Sequence, residues 1–353
     1  MKIKRRKTKQ ITVGGVTVGG GAPVRVQSML KKPPHDAAAM LRQARALERA
    51  GCEILRATVP DMTALDAFMV VKAKLCVPLV ADIHFDKKIA LACIESGADC
   101  VRINPGNIGG RRAFEEVLRA AKNRGVAVRV GVNSGSLEKD LLKLHGGPSP
   151  QALAESGLRA LEIADNLKFT NLKFSIKSSD TGTTLDANRA FAKACDAPLH
   201  IGITEAGGEK SGLVKSAVGI ALLLSDGIGD TVRVSLSAPP VREVEAAWDI
   251  LAALEMRQRG ATIVSCPMCG RAGANIAPVV RELERIAPSI EPPLRIAVMG
   301  CPVNGPGEAR EADIGAALGG GYALIFKKGK IVKRVKPAEI LKELMREISG
   351  ADE

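Results

Sequence analysis

Aromatic side chains are scarce: one Trp, one Tyr and seven Phe make up 3% of the 353 residues. Surfaces that read RNA or single-stranded DNA need exposed rings on which bases stack, so this scarcity argues against a nucleic-acid partner and calls for an aliphatic core. Long apolar runs are missing too. The longest, Ile220 to Leu224 with its flanks, falls short of the roughly 18 residues a membrane span needs, so no membrane partner is expected. The basic N-terminus is followed by neither the apolar stretch nor the cleavage site of a secretory signal, and the expected location is cytoplasmic. In that compartment thiols stay reduced, so the eight cysteines are not read as a disulfide framework.

What is present is ordinary for a globular protein: 46% hydrophobic and 25% charged residues, with 36 Gly and 19 Pro. The length is more than twice that of a domain of about 150 residues, which leaves one large barrel or two domains. The formal charge of +13 implies an anionic partner or substrate. Residues 260–353 carry +2 of it, so the excess sits in the first 259. Lys2, Lys4, Arg5, Arg6, Lys7 and Lys9 form a basic run that reads as a solvated tail, with nucleic-acid contact as the sharper alternative.

Apolar periodicity gives a hairpin at Ile11 to Val18 turning at Gly14 and Gly15, then a strand at Val24 to Met29. A regular alternation follows. Helical patterns occupy 36–50, 63–75, 87–96, 111–123, 150–167, 185–195, 214–225 and 242–257, and between them lie β-rich runs at 54–59, 78–83, 100–104, 127–132, 172–177, 199–203 and 231–236. Eight strands alternating with eight helices predict an α/β fold of the (β/α)8 TIM barrel type, with Gly51, Gly97 and Gly125 where helix C-caps belong. A doubly wound sheet is weaker, because no glycine-rich dinucleotide fingerprint follows any strand. At Gly260 the pattern breaks. The expected organisation is a substrate-binding barrel over 1–259 and a smaller α+β domain over 260–353, ending in a helix from Pro337 to Ile348.

In such barrels chemistry sits where strands give way to loops, and here those positions are basic. Arg56, Arg102 with Asn104, Arg129 with Asn133, and Lys177 lie on four different strands and would converge on one mouth. Guanidinium groups donate paired hydrogen bonds to phosphate oxygens, so the set suits a polyanion such as a diphosphate. Asp82 and His84, then His200, Thr204 and Glu205, add hydrogen-bonding and acid/base groups to the same rim. Glu205 is the candidate proton carrier, as a carboxylate among cations.

Cys52, Cys76, Cys93, Cys100 and Cys195 fall singly inside predicted elements and read as small buried hydrophobes. Cys266-Pro-Met-Cys269 and the later Gly-Cys301-Pro-Val-Asn-Gly-Pro-Gly-Glu308 fall in loops. Structural zinc wants four Cys or His ligands, and residues 260–353 hold no His and no fourth Cys. A redox dithiol would leave Cys301 idle. An iron–sulfur cluster on three cysteines leaves one iron for a weak, displaceable ligand, for which Glu308 is the candidate.

These strings, together with Val-Pro-Leu-Val-Ala-Asp-Ile-His-Phe-Asp, Arg-Ile-Asn-Pro-Gly-Asn-Ile-Gly, Gly-Ile-Thr-Glu-Ala-Gly-Gly and Gly-Ile-Gly-Asp-Thr-Val-Arg-Val-Ser-Leu, resemble the 4-hydroxy-3-methylbut-2-enyl diphosphate synthase (IspG/GcpE) family in its short bacterial form. The resemblance implies an iron–sulfur oxidoreductase of isoprenoid biosynthesis. It implies a [4Fe-4S] cluster held by Cys266, Cys269, Cys301 and Glu308, and 2-C-methyl-D-erythritol 2,4-cyclodiphosphate as the substrate, reductively opened and dehydrated with two electrons. Arg56, Arg102, Arg129, Asn133 and Lys177 then look like diphosphate binders, Asp82, His84, Asn104, His200, Thr204 and Asn304 like further substrate contacts, and Glu205 like the residue near the reacting carbon. Ferredoxin or flavodoxin would donate the electrons, and the family forms a homodimer. The competing readings are a redox-inert barrel lyase or transferase on a phosphorylated substrate with a structural zinc domain, and a nucleic-acid-binding protein using the basic tail.

Overall fold

Aspartates and one serine punctuate the chain at the helix starts. Asp36, Asp61, Asp86, Ser149 and Asp180 each accept a backbone N–H of the first turn, which satisfies donors the helix cannot pair itself. At the other ends Gly51, Gly97 and Gly125 adopt φ of +94°, +88° and +68°, the left-handed exit that glycine takes without strain. The computed structural model describes residues 3–350 except 271, 274, 302–306, 308–310 and 320. It divides the chain into two compact units, Met1–Arg257 and Gln258–Glu353.

The first unit opens with a hairpin, β1 (Ile11–Val13) and β2 (Val16–Val18). Eight parallel strands follow: β3 (Arg25–Met29), β4 (Ile54–Thr58), β5 (Leu79–Asp82), β6 (Cys100–Ile103), β7 (Ala127–Asn133), β8 (Leu172–Lys177), β9 (His200–Ile201) and β10 (Thr231–Val232). The ring closes where β10 pairs with β3 and where Phe174 of β8 bridges to Leu199 just ahead of β9. Eight helices wrap it: α1 (Ala37–Arg49), α2 (Met62–Lys72), α3 (Lys87–Glu95), α4 (Gly110–Arg124), α6 (Pro150–Asn166), α7 (Thr181–Ala194), α8 (Glu209–Ser225) and α9 (Pro240–Ala253), with a short unexpected α5 (Lys139–Leu144) ahead of α6.

Because strand side chains alternate, one set of strand residues faces the helices and the other faces the axis. The outward set, including Leu55, Ala81, Val101, Val130, Phe174 and Ile201, joins the helices in one aliphatic core. At the N-terminal end of the axis Ile54, Val80, Cys100 and Ala127 pack against Ile11, Val13 and Val18 of the hairpin, which closes the floor of the barrel. Above that floor the axis is polar.

Three expectations change. The basic N-terminal run is not a solvated tail over its described part: Arg6 donates to the carbonyls of Ala192, Cys195 and Ala197 at the end of α7, and Arg5 bonds Asp230 at 2.9 Å and the Ala22 carbonyl. Strands β9 and β10 are two residues long where five and six were expected. Gly202, at φ +152°, turns the chain immediately after Ile201, and a Cβ there would collide with the Arg233 carbonyl, so the apolar residues beyond β10 are buried without being paired. Cys76 is exposed and Cys195 half-buried, unlike Cys52, Cys93 and Cys100.

The second unit is a five-stranded sheet in sequence order. β11 (Thr262–Ser265), β12 (Arg295–Met299) and β13 (Ile314–Gly319) run parallel, and β14 (Tyr322–Lys327) and β15 (Lys330–Val335) continue it antiparallel. α10 (Ala277–Ile286) and α11 (Ile340–Ile348) cover one face through Leu283, Ile340 and Leu344 on Ile296, Val298 and Ile325. The other face carries Met299, Ala317 and Phe326.

Candidate active site

The barrel register places these cations in neighbouring rows, with Arg56 and Arg129 inside their strands and not at the ends expected of them. Arg102 of β6 stands beside Arg129 of β7 on one side and Asp82 of β5 on the other, and Asn133 of β7 stands beside Lys177 of β8. Asp82 is the counter-ion they share. Its carboxylate lies 3.3 Å from Arg102 Nη1, 3.6 Å from Arg56 Nε and 3.9 Å from His84 Nε2. Burial pushes the Asp82 carboxyl up, yet Arg56, Arg102, Arg129 and His84 together outweigh it and hold the group at about 2. With the Asn133 amide oxygen turned toward Arg102, it accepts from Nη2 at 2.8 Å. Gly131 makes the seat for that guanidinium: a Cβ there would stand 2.7 Å from Arg102 Nη2.

Arg129 is 1% exposed and donates to Gln27 Oε1 at 3.2 Å. Lys177 is buried, and burial followed by Arg233, Arg129, Arg56 and Arg102 drives its ammonium pKa well below the usual lysine range. His200 is buried with Nδ1 2.8 Å from Thr231 Oγ1. Burial, then Lys177 and Arg129, push its pKa well down and keep the imidazole neutral. Asn104 is occupied locally, donating to Ser136 Oγ at 2.5 Å and accepting the Gly106 N–H at 2.9 Å, so it shapes the loop after β6. His84 is partly exposed on the rim beside the exposed Phe85.

Thr204 and Glu205 follow β9 in a turn. Glu205 takes φ +51°, a left-handed conformation that costs a residue with a Cβ about 1 kcal/mol. Its side chain is exposed, with no ion pair or hydrogen bond among the described residues. This corrects the expectation of a carboxylate lodged among cations, because the strained turn sets Glu205 at the open rim.

The sequence reading missed Arg233, Lys173, Lys31 and Glu243. Arg233 lies next to Glu243 at 3.6 Å, and burial followed by Arg56 lowers its pKa to about 10. Glu243, 1% exposed at the start of α9, also pairs with Lys31 at 2.8 Å and accepts the Leu236 N–H. The signal for Arg233 was available: Val-Arg-Val-Ser repeats the Val-Arg-Val-Gly of β7. In sum the buried Arg102, Arg129, Lys173 and Lys177 and the half-buried Arg56 and Arg233 face three carboxylates, Asp82, Glu243 and Asp230. Buried cations in excess of their counter-ions are costly, and such an interior is suited to a multiply charged anion.

In the second unit the register of β11 with β12 brings Cys266 and Cys301 to the same C-terminal edge of the sheet. The Gly300 N–H donates to Cys266 Sγ at 3.1 Å, and Gly273 N–H reaches the Gly300 carbonyl at 2.7 Å, stitching the two cysteine loops together. Cys301 is buried and Cys269 exposed. Among the described residues no three Cys, His, Asp or Glu side chains already stand at metal-holding separation. Asn304 and Glu308 lie outside the described residues. Soft thiols on one loop edge, one of them already accepting an N–H bond, suit an iron–sulfur cluster.

Comparison with known proteins gives the same two parts. The model for the GcpE TIM-barrel domain matches residues 8–248 and that for the GcpE protein C-terminal domain matches 262–350. Proteins named 4-hydroxy-3-methylbut-2-en-1-yl diphosphate synthase (flavodoxin) from Thermodesulfovibrio yellowstonii and Aquifex aeolicus are 49% and 51% identical to the chain. They span 98% and 99% of it, and 99% and 98% of their own lengths. The one from Geobacter sulfurreducens is 51% identical over 98% of both. Among solved structures, dihydropteroate synthase from Stenotrophomonas maltophilia superposes with a TM-score of 0.51 at 18% identity, over 70% of this chain and 97% of that one, a likeness of fold alone. With both of its parts matched and half of its residues shared with full-length relatives, the chain belongs to the GcpE family.

Proposed function

We propose that the chain is a 4-hydroxy-3-methylbut-2-en-1-yl diphosphate synthase that draws electrons from flavodoxin, as the names of its relatives say of them. The reaction takes 2-C-methyl-D-erythritol 2,4-cyclodiphosphate, two electrons and two protons to the open-chain diphosphate and one water. The observation that carries this reading is the excess of buried and half-buried cations over carboxylates in the barrel, which asks for a ligand with several negative charges. Arg56, Arg102, Arg129 and Lys177 bind the diphosphate oxygens, and Asp82 keeps Arg56 and Arg102 aimed before the ligand arrives. Neutral His200 serves as a hydrogen-bonding group without adding charge. Glu205, solvent-accessible at the rim, exchanges protons with water and delivers one to the opening ring.

Cys266, Cys269 and Cys301 with Glu308 would hold a [4Fe-4S] cluster, which when bound supplies single electrons and a Lewis-acidic iron. The enzyme acts as a homodimer in this reading. Anaerobic purification with iron, sulfide and zinc analysis tests it. The expected result is about four irons and four sulfides per chain, lost in Cys301→Ser, and turnover of the cyclodiphosphate with reduced flavodoxin. Stoichiometric zinc without sulfide would leave only a barrel for a phosphorylated substrate.

A further inference from the structure

One cation in the barrel is used by nothing described above. Lys173 points inward from β8 directly opposite Arg129 of β7, is completely buried, and its ammonium has no hydrogen-bond acceptor among the described residues. The charged and titratable groups facing it come from every side of the barrel: Arg56 on β4, Cys100 on β6, Arg129 on β7, His200 on β9 and Asp230 ahead of β10. None of them accepts a hydrogen bond from it, and only Asp230 sets an opposite charge near it. Arg56 and Arg129 repel it, burial pushes the Cys100 thiol up and leaves it uncharged, and His200 is neutral. The Asp230 carboxylate is already engaged by Arg5 at 2.9 Å, Thr8 at 3.0 Å and the Leu199 N–H at 2.9 Å. Nearby, Gln27 Nε2, Arg129 Nε and His200 Nε2 are also buried without a partner, so the middle of the barrel holds polar groups, mostly donors, that the protein itself does not satisfy.

We propose that Lys173 is a determinant of anion affinity: a cation sealed beneath the mouth, opposed in the protein only by an Asp230 already engaged elsewhere, whose remaining counter-charge arrives with the bound diphosphate, and which acts through its field without contact. The inference rests on the reading of the mouth as a diphosphate site. Burial, with Arg129 and Arg56, brings the Lys173 pKa down to about 8. An anion overhead stabilises the ammonium and raises that value, so binding near pH 8 takes up a proton. Lys177 contributes in the same direction, and the share belonging to Lys173 is the difference between wild type and a variant that lacks it.

Sulfate is a suitable probe because it stays a dianion across this range. Its binding to the wild type and to Lys173→Met is measured by calorimetry at pH 7, 8 and 9 in buffers of different ionisation enthalpy. At pH 7 the variant is expected to bind about tenfold more weakly, the scale of one partly screened charge pair inside a protein. At pH 8 it should take up fewer protons per sulfate, by up to about half a proton. Its melting temperature without anion should rise, since an unpaired buried charge is gone. If Met is not accommodated, Lys173→Gln carries the same comparison. Equal affinity and equal proton uptake in variant and wild type would overturn the proposal. A wild type that binds neither sulfate nor pyrophosphate would overturn the diphosphate reading itself, and this inference with it.

Discussion

Replacing Gly131 by Ala adds one methyl group at the point where the barrel wall is closest to Arg102. The new carbon would press on Nε and stand 2.7 Å from Nη2 and 2.9 Å from Cζ. Gly131 lies in the middle of β7 outside the left-handed region, so alanine brings no backbone strain and the conflict falls on the guanidinium. To escape, Arg102 must give up its 3.3 Å contact with Asp82 and its bond to Asn133. Losing one charge-assisted hydrogen bond costs about 1.5–3 kcal/mol, and that much lost from ligand binding weakens it roughly ten- to a hundredfold. Fold stability should fall by a similar amount, about 1–3 kcal/mol, the usual cost of overpacking. Calorimetric titration with pyrophosphate, alongside a thermal melt, separates the two. An alanine variant that melts lower yet binds pyrophosphate with wild-type affinity would refute both the seat assigned to Gly131 and the role assigned to Arg102.

Glu205→Gln should keep pyrophosphate binding and iron content while turnover falls about 10²-fold or more, the scale of a lost acid/base group; unchanged turnover removes Glu205 from the scheme. Asp82, at about 2 when folded and about 3.9 unfolded, contributes stability that is full above pH 4 and lost as pH falls from 4 toward 2. Denaturant melts of Asp82→Asn should therefore lose that acid-side slope, and an unaltered slope would assign it to other carboxyls. Arg6→Ala leaves three carbonyls at the end of α7 without their donor, for a loss of about 1–3 kcal/mol. That corresponds to a drop in melting temperature of several degrees, and a variant melting with the wild type would return the N-terminus to a loose tail.

The alternation of strands and helices was legible because most of the helices around the barrel carry their own punctuation, an aspartate at the start or a glycine past the end. Arg56, Arg102, Arg129 and Lys177 were legible for a related reason: each interrupts an apolar run within a parallel strand. Lys173 escaped because Leu-Lys-Phe-Ser-Ile-Lys alternates as a half-solvated strand does, and pattern alone does not distinguish water from a polar barrel axis. The polar first turns of α7 and α8 escaped because they carry no apolar periodicity to detect. Arg6 looked like a charge for solvent, since nothing local announces that three carbonyls 186 to 191 residues away will come to lie beside it.

The hairpin under the barrel turns the interior into a blind well. Ile11, Val13 and Val18 stop water from entering from below, so Arg129 and Lys173 are not hydrated through the floor and their field is felt in one direction only, upward through the rim. Traffic in such a well is last in, first out. A charged product has to leave by the opening its successor needs, and every small anion in the surroundings queues at that same opening.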